Sequence, residues 1–273
     1  MTPSTIYRNM KKANEKARPG SRIPKEILKA IAVLLFWLII WEAAARLIDQ
    51  PLFLPRPGNV FRTFVKLFSV GTSYKIALFS LLRVLGGFSV GMILGIVLAV
   101  FSYYFPLFET VLSPVMTIVR STPVASFIML LWLVIGRKNL PTAIGLLMVL
   151  PLIYGNILAG LRALSPELSE VCRLYRFSPL KRFRIYVYPG VMPYFAPATV
   201  NALGLSWKAG IAAEVLAQTS FSLGKEIYLA KSYLEAEELY AWTIAVILLS
   251  LFLETLVRFS MRRWLKGEKN IHA

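Results

Sequence analysis

Residues 161–189 read LRALSPELSEVCRLYRFSPLKRFRIYVYP, a polar, strongly basic stretch set between long apolar runs. Ser165-Pro166-Glu167 combine an N-cap side chain, a proline at the first helical position and an acid in the first turn. Leu168, Val171, Cys172 and Tyr175 follow at helical spacing. Ser178-Pro179 restarts a second short helix with Leu180, Phe183 and Val187 on one face, and Pro189 and Pro193 are expected to close it. Two short capped helices between membrane spans, with a narrow apolar stripe and a basic face, suit docking into a soluble partner better than they suit an ordinary loop.

The runs on either side are of membrane length. The chain has 273 residues, 57% of them hydrophobic, and an apolar run of about 20 residues reads as a transmembrane helix. Six spans are expected: 27–48, 76–101, 107–135, 141–161, 193–219 and 240–261. The first is preceded by a long basic stretch and is too long for a usual signal sequence, so it reads as an uncleaved helix. Between the first two lies the turn Leu54-Pro55-Arg56-Pro57, then an amphipathic piece with Val60, Phe61, Phe64 and Phe68 that is expected along the interface.

The formal charge of +17 would suggest nucleic acid in a soluble protein, but the bases sit mainly beside apolar spans. Bases cluster in the N-terminal tail, in the two-helix loop (Arg162, Arg173, Arg176, Lys181, Arg182, Arg184) and in the C-terminal tail. With six spans these three segments share one side, which the positive-inside rule makes cytoplasmic. One cysteine and one histidine exclude an internal disulfide and a Cys/His metal cluster, so no cofactor is expected.

Three features inside the apolar spans stand out. Gly87, Gly91 and Gly95 form a small-residue ridge that permits close helix approach. Arg120-Ser121-Thr122-Pro123 interrupts the third span, and such breaks are tolerated where neighbours or a cavity satisfy the freed backbone groups. Lys208 and Glu214 lie in the fifth span, six residues apart and so not on one helical face. Intramembrane charges are functional candidates by default, so Arg120, Lys208 and Glu214 are the candidate translocation-pathway residues, with structural pairing as the alternative for the last two. Glu235, Glu237 and Glu238 read as a solvated loop face.

These residues carry a resemblance. Residues 161–193 resemble the cytoplasmic coupling motif of binding-protein-dependent ABC importer permeases, with Glu170-Val171-Cys172 at its Glu-Ala-Ala start and Val187-Tyr188-Pro189 at its apolar-x-Pro end. Leu54-Pro55-Arg56-Pro57, Ser80-Leu81-Leu82-Arg83-Val84, Arg120-Ser121-Thr122-Pro123 and the stretch from Trp207-Lys208 to Ala213-Glu214 are similar to the nitrate/sulfonate/taurine-type subfamily. Two departures stand in the motif: Val171 and Cys172 replace its alanines, and Arg176 replaces its glycine.

The resemblance implies an all-α integral membrane fold of about six transmembrane helices with a cytoplasmic two-helix coupling loop. It divides the chain into a basic tail (1–29), a first helix with an external segment (30–74), the permease core (75–262) and a second basic tail (263–273). It implies a cytoplasmic ATP-binding subunit docked on Glu167, Leu168, Glu170, Val171, Tyr175, Pro179 and Pro189, with Glu170 in a positioning or salt-bridge role. An extracytoplasmic solute-binding protein, a second permease copy or paralogue, and membrane lipid are the other implied partners, and nucleic acid is not one. No Gly-x-x-x-x-Gly-Lys phosphate loop is present, so hydrolysis is expected on the separate subunit and the chain is not itself an enzyme. Nitrate, sulfonate, taurine and vitamin-precursor-like compounds are the implied solutes. A secondary transporter or channel explains the spans and intramembrane charges but not the capped loop.

Overall fold

A computed structural model describes the backbone of residues 25–269 and the side chains of residues 27–261. Residues 1–24 and 270–273 of the two expected basic tails lie outside the described residues. Among those described, every regular element is a helix: α1 (Lys25–Ile48), α2 (Pro57–Phe68), α3 (Gly71–Tyr104), α4 (Pro106–Ser121), α5 (Val124–Arg162), α6 (Pro166–Leu174), α7 (Pro179–Arg182), a π-helical turn (Phe183–Val187), α8 (Tyr188–Ala217), α9 (Leu223–Ser232) and α10 (Ala236–Lys269). Among the described residues four stretches are long and apolar enough to cross a membrane: Ile27–Ile48, Gly71–Tyr104, Val124–Arg162 and Ala236–Met261.

The chain forms two compact units, residues up to Gly58 and residues from Asn59 onward. In the first, α1 leaves most of its apolar side chains exposed, and the Trp41 indole N–H donates to the Pro55 carbonyl at 3.1 Å. The division falls ahead of the 74/75 boundary drawn from the sequence because α2 packs with the core of the second unit. Val60 is fully buried, Phe64 and Phe68 lie against the core, and only Phe61 of the expected interfacial set faces outward.

The core of the second unit is α3 and α8 packed against α5, and the glycine ridge makes the first contact possible. A Cβ on Gly87 would run into the Thr142 carbonyl, and one on Gly91 would sit 2.8 Å from the Leu146 carbonyl. The ridge therefore joins two helices of one chain, so it offers no support for pairing with a second copy. On the other face of α5, Ile128, Leu140, Ile144 and Met148 meet Ala209, Ala213 and Ala217 of α8.

Several breaks expected from prolines and glycines take a particular form. The chain leaves helical geometry at Thr122 (φ −80, ψ 131) and Pro123 (φ −58, ψ 135), as the Arg-Ser-Thr-Pro stretch predicts. The turn expected at 136–140 contracts to one residue: Gly136 alone turns the chain, at φ 71, a left-handed value that glycine adopts without a Cβ clash. Pro141 then sits just past the first turn of the resumed helix, and the Arg137 carbonyl that its missing N–H leaves open accepts from the Thr219 hydroxyl at 3.0 Å.

Pro189 and Pro193 do not close the second loop helix. That helix widens into the π turn and runs on into α8. The Tyr188 N–H reaches back five residues to the Phe183 carbonyl, which gives the Pro189 ring room where a regular turn would clash. So α8 starts at Tyr188, five residues earlier than expected. It ends at Gln218 in the left-handed region (φ 49). It is the inner helix of the unit: Trp207, Glu214 and Thr199 are among its fully buried side chains, and few of its residues need to suit lipid.

Candidate functional site

The two-helix loop is built as its caps predict. The Ser165 hydroxyl oxygen accepts from the Leu168 N–H at 3.3 Å and its hydroxyl donates to the Glu167 carboxylate. That bond holds the Glu167 carboxyl below its ordinary pKa. The Ser178 oxygen accepts from the Lys181 N–H at 3.4 Å. The Tyr186 hydroxyl donates to the Ser165 carbonyl at 2.9 Å, and the Arg182 guanidinium donates to the Ser169 hydroxyl at 3.0 Å, so the two arms are tied together.

Between the arms, Arg176 has φ 47, with the Phe177 N–H on the Cys172 carbonyl (3.0 Å) and the Arg176 N–H on the Arg173 carbonyl (3.1 Å). This is a Schellman C-cap, whose left-handed position normally belongs to glycine. Arg176, which stands where the motif has its glycine, thus takes a left-handed conformation that glycine adopts more readily.

The apolar stripe faces outward. Leu168 is 56% exposed, Val171 43% and Tyr175 69%, so packing against the chain's own helices does not account for them. Cys172, expected on the same stripe, is buried instead. Leu174, which helical spacing does not single out, is 79% exposed and extends the patch. Leu180 and Phe183 of the second arm are also exposed, whereas Val187 packs on the core. Glu167, Glu170 and Pro179 lie on the open surface and Pro189 is half-buried.

The three charges expected within the membrane lie in different environments. Arg120 lines a cleft of about 500 Å³ together with Thr122, Val124, Leu147, Pro151, Gly155 and Asn156 among others, and it donates to the Pro151 carbonyl. Lys208 is exposed on α8. Glu214 is wholly buried, so it faces no open passage in this structure. Its carboxylate accepts from the Ser80 hydroxyl at 2.7 Å, the Gly224 N–H at 3.3 Å and the Arg83 guanidinium at 3.5 Å. Ser80 in turn accepts from the Leu223 N–H at 2.9 Å, while Arg83 donates to the carbonyls of Ser220 (2.8 Å) and Phe221 (3.1 Å). The group ties α3, the end of α8 and the start of α9. Of pathway lining and structural pairing, this geometry matches structural pairing for Glu214.

Glu237 is not a bare solvated acid. It accepts from the Asn59 amide (2.9 Å) and the Thr63 hydroxyl (3.1 Å), joining α2 to α10. No sequence periodicity signals that contact. Asn156 does carry a readable signal, as a lone amide inside an apolar run.

Residues 91–266 match the family model described as binding-protein-dependent transport system inner membrane component. Among curated relatives, the taurine transport system permease protein TauC of Escherichia coli (strain K12) is 23% identical over 88% of this chain and 90% of its own length. The bicarbonate transport system permease protein CmpB of Synechococcus elongatus is 27% identical over 68% and 67%. The nitrate import permease protein NrtB of Leptolyngbya laminosa is 29% identical over 70% and 68%.

Proposed function

The chain belongs to the family of binding-protein-dependent transport system inner membrane components, and we propose that it couples a cytoplasmic ATPase to the import of a small anionic solute. It is a multi-pass membrane protein and the permease subunit of an ABC importer. The observation that carries the drive is the outward apolar stripe of Leu168, Val171, Leu174 and Tyr175 on a braced two-helix loop. Exposed apolar side chains on a rigid, basic-flanked element mark a protein interaction site rather than a solvated loop.

The ATPase subunit seats on this stripe, with Glu167, Glu170 and Pro179 at its rim. Pro189 at the root passes ATPase closure into α8. Hydrolysis takes place on that separate subunit. A solute-binding protein delivers cargo from the far side, and a second permease, identical or paralogous, completes the route, since one loop serves one ATPase. Both termini and the loop are cytoplasmic by the distribution of bases. The relatives named for taurine, nitrate and bicarbonate suggest a small solute carrying an oxyanion.

Co-purification tests the docking. Leu174→Asp and Glu170→Ala should lower ATPase recovery with the detergent-extracted permease while membrane insertion stays normal. Full ATPase recovery with both variants refutes the docking reading.

A further inference from the structure

We propose that the cleft between Arg120, the Thr122-Pro123 break and Asn156 is a station on the translocation route that binds the solute's oxyanion group. The proposal rests on the importer reading and adds the residues that would meet the cargo.

Charge points to the cleft first. Arginine at membrane depth is costly, and it persists where it faces a cavity or a partner. Arg83 has the Glu214 carboxylate and Arg162 has that of Glu109. Among the described residues Arg120 has only the Pro151 carbonyl, and no Asp or Glu lines its cleft. A guanidinium carries five N–H donors, so one bond to a carbonyl leaves a planar, charged fork to serve an oxyanion.

The walls are built to suit. The Arg120 guanidinium lies directly against Gly155, where a Cβ would meet it. The Asn156 amide donates to the Leu152 carbonyl at 2.8 Å and keeps a second N–H. The Thr122 hydroxyl donates to the Ile118 carbonyl at 2.8 Å, so it is not one of the donors offered to an anion. Val124, also on the wall, opens a new helix, and the first amides of a helix have no intrahelical acceptor.

Depth agrees with both. Pro151 lies 11 residues from the loop end of α5 at Arg162, about 16 Å along a helix, and Arg120 lies 14 residues from the start of α4, about 21 Å. In a hydrocarbon core of about 30 Å the first value falls near the middle and the second about two-thirds of the way across, so both lie well inside the edges. Broken helices around a midplane site are how membrane carriers expose backbone donors to anionic cargo. About 500 Å³ holds a sulfonate-, nitrate- or bicarbonate-sized solute with water.

The test uses the permease–ATPase complex in nanodiscs of phosphatidylcholine, with and without phosphatidylglycerol. Nitrate, bicarbonate and methanesulfonate are the probes, against chloride at equal ionic strength, and thermal stabilisation is the readout. At least one probe should stabilise the wild-type complex saturably in phosphatidylcholine alone. Arg120→Gln should weaken its apparent affinity by about tenfold or more, the loss of a charge-assisted contact, and Arg120→Lys should restore part of it. Asn156→Asp, which leaves the Arg120–Pro151 bond in place, should also abolish the response and keeps the test valid if Arg120→Gln fails to assemble.

Equal stabilisation of wild type, Arg120→Gln and Asn156→Asp overturns the station. So does a chloride response equal to that of every probe. A probe response seen only with phosphatidylglycerol, or stabilisation by that lipid alone, would assign the cleft to a lipid headgroup and overturns it too. A wild-type transporter that imports with ATP but whose anion response ignores these residues removes only the station, whereas absence of ATP-driven import removes the importer reading itself.

Discussion

Replacing Glu214 by alanine is the perturbation whose magnitude the structure defines best. The carboxylate is fully buried, and its loss strands the Ser80 hydroxyl, the Gly224 N–H and one edge of the Arg83 guanidinium. A buried donor left without an acceptor costs about 1–3 kcal/mol, and breaking a buried ion pair by removing one member costs about 3–5 kcal/mol. Two features pull the value toward the lower end. The Arg83 side chain is 19% exposed, and it keeps two carbonyl acceptors, Ser220 at 2.8 Å and Phe221 at 3.1 Å. The expected loss is therefore about 3 kcal/mol for Glu214→Ala. For Glu214→Gln, which keeps the shape and one carbonyl, it is about 2 kcal/mol. The loss is local, because the carboxylate holds the first turn of α9 against α3 and α8. Hydrogen exchange of the α9 amides reads it directly: about 3 kcal/mol is a protection loss of about two orders of magnitude. Protection of α9 in Glu214→Ala within about threefold of wild type would refute the fastening role.

Gly91→Leu should drive a side chain into the Leu146 backbone and cost at least about 1–3 kcal/mol, seen as lost folded yield and a lower unfolding temperature in detergent. Arg176→Gly should relieve the left-handed strain of the C-cap by about 1 kcal/mol, seen as slower amide exchange in the two-helix loop. Ser165→Ala should loosen the start of α6 by about 1 kcal/mol, by the same measurement. It should also let the Glu167 carboxyl titrate back up toward its ordinary range. The sign follows from the lowered folded pKa: the Ser165–Glu167 bond supports the loop above the unfolded carboxyl pKa and is lost as pH falls through the folded one.

The elements with strong local signals are legible in the sequence. Ser165-Pro166-Glu167 and Ser178-Pro179 each specify a cap by chemistry within three residues, and both caps form. The Thr122-Pro123 break comes from a missing donor and a steric clash, which need no tertiary context. The glycine ridge announces close approach but not its partner, because a small-residue face fits any neighbour that reaches it. Pro189 misleads because a proline's local rule can be met by widening the turn before it, a choice made by the packing of α8. The partners of Glu214 and Glu237 are invisible for a related reason: Ser80 is 134 residues away in sequence and Asn59 is 178, and no periodicity encodes such distances. The Arg120 cleft stands between these cases. The charge and the break are readable, while Gly155 and Asn156 join them only through the packing of α4 on α5.

The most direct test of the account is solute uptake into proteoliposomes holding this permease with its ATPase, with the cognate binding protein and labelled solute outside. The account predicts uptake that needs internal ATP and the binding protein, and that falls to background when the apolar stripe is broken by Leu168→Asp and Leu174→Asp together. Uptake by the permease alone, without ATPase or ATP, would contradict it and would make the chain a secondary transporter or channel.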